Sequence, residues 1–130
     1  MPSLQGEADR DRAEARLTTI MVCNLPRGVD CMKLLEMLIE LGFDRRYDFM
    51  HIVRRRRPGP TVYAFINFLS PEDLRGFITR SRGYTFEGAD GTARRINLHP
   101  SNVQGFSNCL ERLRQSQRGG SSSGEVVLAL

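Results

Sequence analysis

The 130 residues suffice for one domain and are too few for two, and an apolar fraction of 40% supports one modest core. A formal net charge of +4, from 19 Lys+Arg against 15 Asp+Glu, is too small to argue for a nucleic-acid partner by itself. Its distribution says more, because nearly all the positive charge is clustered arginine, whose planar fork suits phosphates and stacks on flat rings. Cys23, Cys31 and Cys109 are odd in number, and their spacing fits neither a disulfide framework nor a zinc site, so a reducing compartment is expected. No apolar run approaches the ~20 residues of a membrane span. The charged start, Met1 to Arg16, has no signal-peptide core. The expectation is an intracellular protein without a membrane partner, its residence in nucleus or cytoplasm left open.

In chain order, residues 1–16 read as a disordered leader, short of large apolar side chains. A domain is expected over residues 17–116. The β-branched run Leu17 to Cys23 predicts a first strand, ended by the turn residues Asn24-Leu25-Pro26-Arg27-Gly28. Asp30 is the N-cap of a helix whose core positions are Leu34, Leu35, Leu38 and Ile39, with Leu41 at the same helical spacing. Gly42 falls where a left-handed cap would end it. Tyr47 to Val53 predicts a second strand, and Arg54-Arg55-Arg56-Arg57-Pro58-Gly59-Pro60 a loop. Thr61 to Phe68 is the clearest strand. Ser70 caps the next helix, with Pro71 in its first turn, Asp73 closing a capping box, and Leu74, Phe77 and Ile78 as its buried stripe. Ala89-Asp90-Gly91 marks a hairpin-like turn, and Arg94 to Leu98 a short fourth strand. Val103, Phe106, Leu110 and Leu113 recur at helical steps over Asn102 to Gln115. Residues 117–130, with Gly119 to Gly124 rich in Gly and Ser, read as a flexible tail.

The order is β-α-β-β-α-β with a trailing helix. It predicts an α+β, ferredoxin-like sandwich: a four-stranded antiparallel sheet with two helices on one face and a C-terminal helix added. Strand alternation divides the third strand into two sets. Val62, Ala64, Ile66 and Phe68 suit a surface beneath helices. Thr61, Tyr63, Phe65 and Asn67 fall on the other face and bring two aromatic rings together there. Met21 and Cys23 share that face by parity, and Asn97 and His99 lie on or near it. Flat rings on a helix-free sheet suit unpaired bases. Stacking is worth roughly 1–3 kcal/mol per base. Asn67, Asn97 and His99 are candidate contacts to base edges, and Arg54, Arg55, Arg56 and Arg57 to phosphates.

These segments resemble a known family. Tyr63-Ala64-Phe65-Ile66-Asn67-Phe68 is similar to the octapeptide ribonucleoprotein motif of the RNA recognition motif, and Ile20-Met21-Val22-Cys23-Asn24-Leu25 to its hexapeptide partner. More narrowly, the chain resembles the C-terminal RNA recognition motif of the Mei-two-like proteins, which act in meiotic and developmental control. The resemblance runs through Thr18 to Pro26, Tyr47-Asp48-Phe49, Tyr63 to Pro71 and Val103-Gln104-Gly105, and covers roughly Leu17 to Gln115. It implies single-stranded RNA as partner, two or three bases stacked on the sheet, and no cofactor. Three positions depart from the wider pattern. Thr61 and Val62 stand where a basic residue and Gly are usual, and Met21 stands where a ring is usual, as it does in the Mei-two-like pattern.

The RNA-binding candidates are thus Tyr63, Phe65, Met21, Asn67, Asn97, His99 and Arg54 to Arg57. A competing reading covers Tyr63 and Phe65 with the trailing helix. Another makes the domain a protein-interaction module, recruiting a partner through Phe106 and Leu110. His51 reads as structural or solvated and Cys23 as a small sheet-face residue. No metal site, paired carboxylates, nucleophile with a base, or phosphate-cradling Gly loop is visible, so a monomeric binding module is expected rather than an enzyme.

Overall fold

The computed structural model of the chain describes residues 16–57, 59–117 and 123–129. The expected leader lies almost wholly outside these. In chain order the elements are β1 (Thr19–Leu25), α1 (Cys31–Glu40), β2 (Tyr47–Arg55), β3 (Thr61–Phe68), α2 (Pro71–Arg80), β4 (Thr85–Glu87), β5 (Ala93–Arg95), β6 (Asn97–Pro100), α3 (Phe106–Gln117) and β7 (Ser123–Leu128). The main sheet has five antiparallel strands in the order β6-β1-β3-β2-β7, and β4 and β5 form a separate two-stranded sheet.

This corrects the expected four-stranded, ferredoxin-like β-α-β-β-α-β sheet in two ways. First, the region expected as one fourth strand divides at Ile96. Ala93–Arg95 folds back on Thr85–Glu87, while Asn97–Pro100 pairs with β1. Ile96 is buried in the core between them and anchors the crossing. The hairpin turn falls where Ala89-Asp90-Gly91 predicts it. Gly91 has φ +81, and the Asp90 carboxylate accepts from the Thr92 N–H and hydroxyl. Second, Ser123–Leu128, read as flexible tail, forms a strand from Phe49 to Arg54 along β2. A sheet edge offers a row of unpaired N–H and C=O groups, and a short apolar segment satisfies them.

The helix starts follow their capping residues. The Asp30 carboxylate accepts from the Lys33 N–H at 3.0 Å, and Ser70 Oγ accepts from the Asp73 N–H at 3.1 Å. The Asp73 carboxylate bonds the Ser70 hydroxyl, not the Ser70 backbone N–H that a capping box uses. Gly42 holds φ +88, the left-handed conformation expected after α1.

The core lies between α1, α2 and one face of the sheet. Ile20, Val22, Met50, Ile52, Val62, Ala64, Ile66 and Phe68 supply the sheet side. On α1 the buried residues are Leu34, Met37 and Leu38. Ile39, expected in the core, is 58% exposed, and Leu35 is only half-buried. At 3.6 residues per turn Ile39 lies roughly 140° around the helix from Leu34, on its solvent side. Met37→Ala is therefore expected to cost about 2–5 kcal/mol in urea denaturation. Ile39→Gln should stay within about 0.5 kcal/mol of the parent. Equal losses at the two positions would contradict this orientation of α1.

Candidate nucleic-acid interface

The sheet face turned away from α1 and α2 is built by alternation along four strands. Met21 and Cys23 come from β1, Phe49, His51, Val53 and Arg55 from β2, Tyr63 and Phe65 from β3, and Asn97 and His99 from β6. The register sets His99 beside Met21, Met21 beside Phe65, Phe65 beside His51, and His51 beside Val126 of β7. One row of side chains thus crosses all five strands.

The aromatic groups form a connected patch. The Tyr63 and Phe65 centroids lie 5.6 Å apart with planes at 88°, edge to face. Phe65 lies 6.4 Å from the His51 ring, and His51 lies 6.3 Å from Phe49. The Arg55 guanidinium sits 5.7 Å from the Tyr63 ring centroid, within cation–π range. Burial pushes the His51 pKa below the usual histidine value, so at neutral pH the ring is uncharged and offers one donor and one acceptor. Burial likewise pushes the Cys23 and Cys109 thiols up, and both stay protonated and poorly nucleophilic.

The trailing helix crosses part of this face, and its entry is fixed by Gln104. The Gln104 side-chain oxygen accepts from the backbone N–H groups of Thr18 and Thr19, both at 2.9 Å. Its amide nitrogen donates to the Thr19 and Ser101 carbonyls, both at 2.8 Å. The Gly105 N–H donates to Thr19 Oγ1 at 2.9 Å. Gly105 takes φ +89, a left-handed conformation that lets the chain turn into α3. One turn on, Cys109 is buried with its sulfur 3.9 Å from Thr19 Oγ1. Between α3 and the sheet runs a cleft of about 110 Å³. Phe49, His51, Val53, Tyr63 and Phe65 line its sheet side, and Val103, Cys109, Leu113 and Ser116 its helix side. Arg55 and Arg112 also line it.

Tyr63 and Phe65 are half-buried in this cleft, neither open on a bare sheet nor sealed in the interior. Met21 is half-buried beside Phe65, and Asn97 and His99 are exposed along β6. Two candidates have other roles. Asn67 is only 3% exposed. Its Oδ1 accepts from the Thr18 and Thr19 hydroxyls at 2.8 and 2.6 Å, and its Nδ2 donates to Asp48 at 2.8 Å. That amide is committed inside the protein and does not face a base edge. Arg54 opposes the core residue Val62, and its guanidinium donates to the Val29 carbonyl at 3.0 Å, on the helix-covered side. The run expected as a loop from Arg54 therefore divides: Arg54 and Arg55 extend β2 on opposite faces, while Arg56 and Arg57 are exposed beyond it.

Sequence reasoning missed Phe49, His51, Val53, Cys109 and Arg112 as cleft residues. The β2 set was present as an alternation, but apolar residues on both faces of that strand hide which one is helix-free. Among the described residues no group of His, Cys, Asp and Glu is arranged to hold a metal, and no helix is long and apolar enough to cross a membrane. No protein-family model matches the chain, and no curated protein matches it.

Asn67→Ala is expected to lower unfolding stability by about 1–3 kcal/mol, because it strands the buried Thr19 hydroxyl, the half-buried Thr18 hydroxyl and the Asp48 carboxylate. Thermal denaturation with unchanged stability would show that the Asn67 network carries no structural weight.

Proposed function

We propose that this chain binds single-stranded RNA as a divergent RNA recognition motif, with the motif pattern of the Mei-two-like proteins. Unpaired bases stack on Tyr63 and Phe65, and Arg55, Arg56 and Arg57 hold phosphates. The observation that carries the reading is the adjacent, half-buried pair Tyr63 and Phe65, with Arg55 over the tyrosine ring. The two segments similar to the ribonucleoprotein motifs lie on the neighbouring strands β1 and β3, which pair directly. Exposed His99 and Asn97 extend the same face with polar groups suited to base edges. The chain acts as a monomeric binding module inside the cell, without catalysis or a cofactor.

A protein partner docking through α3 has less support. Cys109 and Leu113 turn towards the sheet, and Phe106 and Leu110, which that reading needs outside, are half-buried.

Fluorescence titration with short single-stranded RNA tests the proposal. Tyr63→Ala combined with Phe65→Ala should weaken binding roughly tenfold or more while the circular-dichroism spectrum is kept. Replacing Arg55, Arg56 and Arg57 by Ser should lower both affinity and its salt dependence, and Arg54→Ser should leave the salt slope unchanged. Affinity unaffected by loss of both rings would reject the sheet face as the binding surface.

A further inference from the structure

Resting on the RNA-binding reading, we infer that the cleft beneath α3 takes a single nucleotide of the strand, its base inserted between the sheet rings and the helix and its phosphate held by Arg55 and Arg112. Three observations support this. One wall of the cleft carries the His51 and Phe65 rings, 6.4 Å apart with planes only 31° from parallel, which together offer a face to a planar occupant. Two of its lining residues are arginines and none is a carboxylate, so the occupant is an anion. Neither Arg55 nor Arg112 is ion-paired with a carboxylate among the described residues.

A strand lying flat across the whole sheet would have to lift α3. That would bring Phe49 (2% exposed) and Cys109 (5% exposed) into water. A nucleotide entering edge-on leaves both buried and the Gln104 bonds intact. His51, uncharged and on the wall of the cleft, presents a donor and an acceptor to the base. The slot makes α3 part of the recognition surface, and Arg112 a phosphate ligand outside the arginine run.

The test is nuclear magnetic resonance on the full chain with adenosine 5′-monophosphate, adenosine and a short single-stranded RNA. The monophosphate should shift signals on both walls, at Phe65 and at Leu113, while nuclear Overhauser effects between α3 and the sheet persist. Adenosine should bind roughly fivefold more weakly, for want of the charge-assisted contact. Arg112→Ser should weaken the monophosphate to a similar degree and leave adenosine unchanged, and Ser116→Trp, which fills the cleft from an exposed position, should abolish shifts on both walls. Equal binding of monophosphate and adenosine would overturn the phosphate assignment, as would displacement of the monophosphate by a short acidic peptide. Loss of the α3–sheet effects on adding RNA would mean that the helix lifts, and would overturn the slot. RNA affinity unchanged by Arg112→Ser and Ser116→Trp would also overturn the slot while leaving binding on the sheet standing. Failure of the parent chain to bind any RNA would overturn both.

Discussion

Thr19 is where the architecture of the candidate site is decided. Its side chain is completely buried, and its hydroxyl donates to Asn67 of β3 while accepting from the Gly105 N–H at the entry to α3. The amide of Gln104 binds both faces of the same peptide segment, taking the N–H groups of Thr18 and Thr19 and giving to the Thr19 carbonyl. Buried polar groups cost free energy when left unpaired, and every member here is paired. The cluster therefore works as a joint between β1, β3 and α3, and the cleft exists because that joint sends the helix over the aromatic rows.

The joint also answers a physical problem set by the sheet. Phe49, Val53, Tyr63 and Phe65 on one helix-free surface would make an apolar patch prone to self-association. With α3 in place, Phe49 and Val53 are buried, and Tyr63 and Phe65 are half-buried in the cleft. β7 protects the chain in a second way, by pairing with β2, whose edge would otherwise lie open next to that patch. The two rings are thus left half-buried while a broad apolar surface is withheld from water.

Local chemistry was legible wherever a single element decides it. Alternation along Thr61–Phe68 separates the core set from the ring set, Asp30 and Ser70 cap the helices, and Asp90 and Gly91 turn the hairpin. Legibility ended where partners far along the chain decide. Asn67 looks like a base-reading amide until Thr18, Thr19 and Asp48 are brought to it. Arg54 looks like one of four equivalent loop arginines until β2 is seen to continue to Arg55, which turns Arg54 to the helix side. The orientation of α1 slipped because six of its positions are large and apolar, so that Met37 and Ile39 compete for the core and only contact with the sheet chooses between them. The strand at Ser123–Leu128 carries little signal of its own, and its order comes from the free edge of β2.

The central claim is that unpaired bases meet the rings of Tyr63 and Phe65 on the sheet face turned away from α1 and α2. Photo-crosslinking of the chain to a short RNA carrying 4-thiouridine, followed by peptide mass spectrometry, reads this contact directly. The account predicts adducts on the β3 peptide at Tyr63 and Phe65. Adducts confined to α1 and α2, on the opposite side of the sheet, would contradict it.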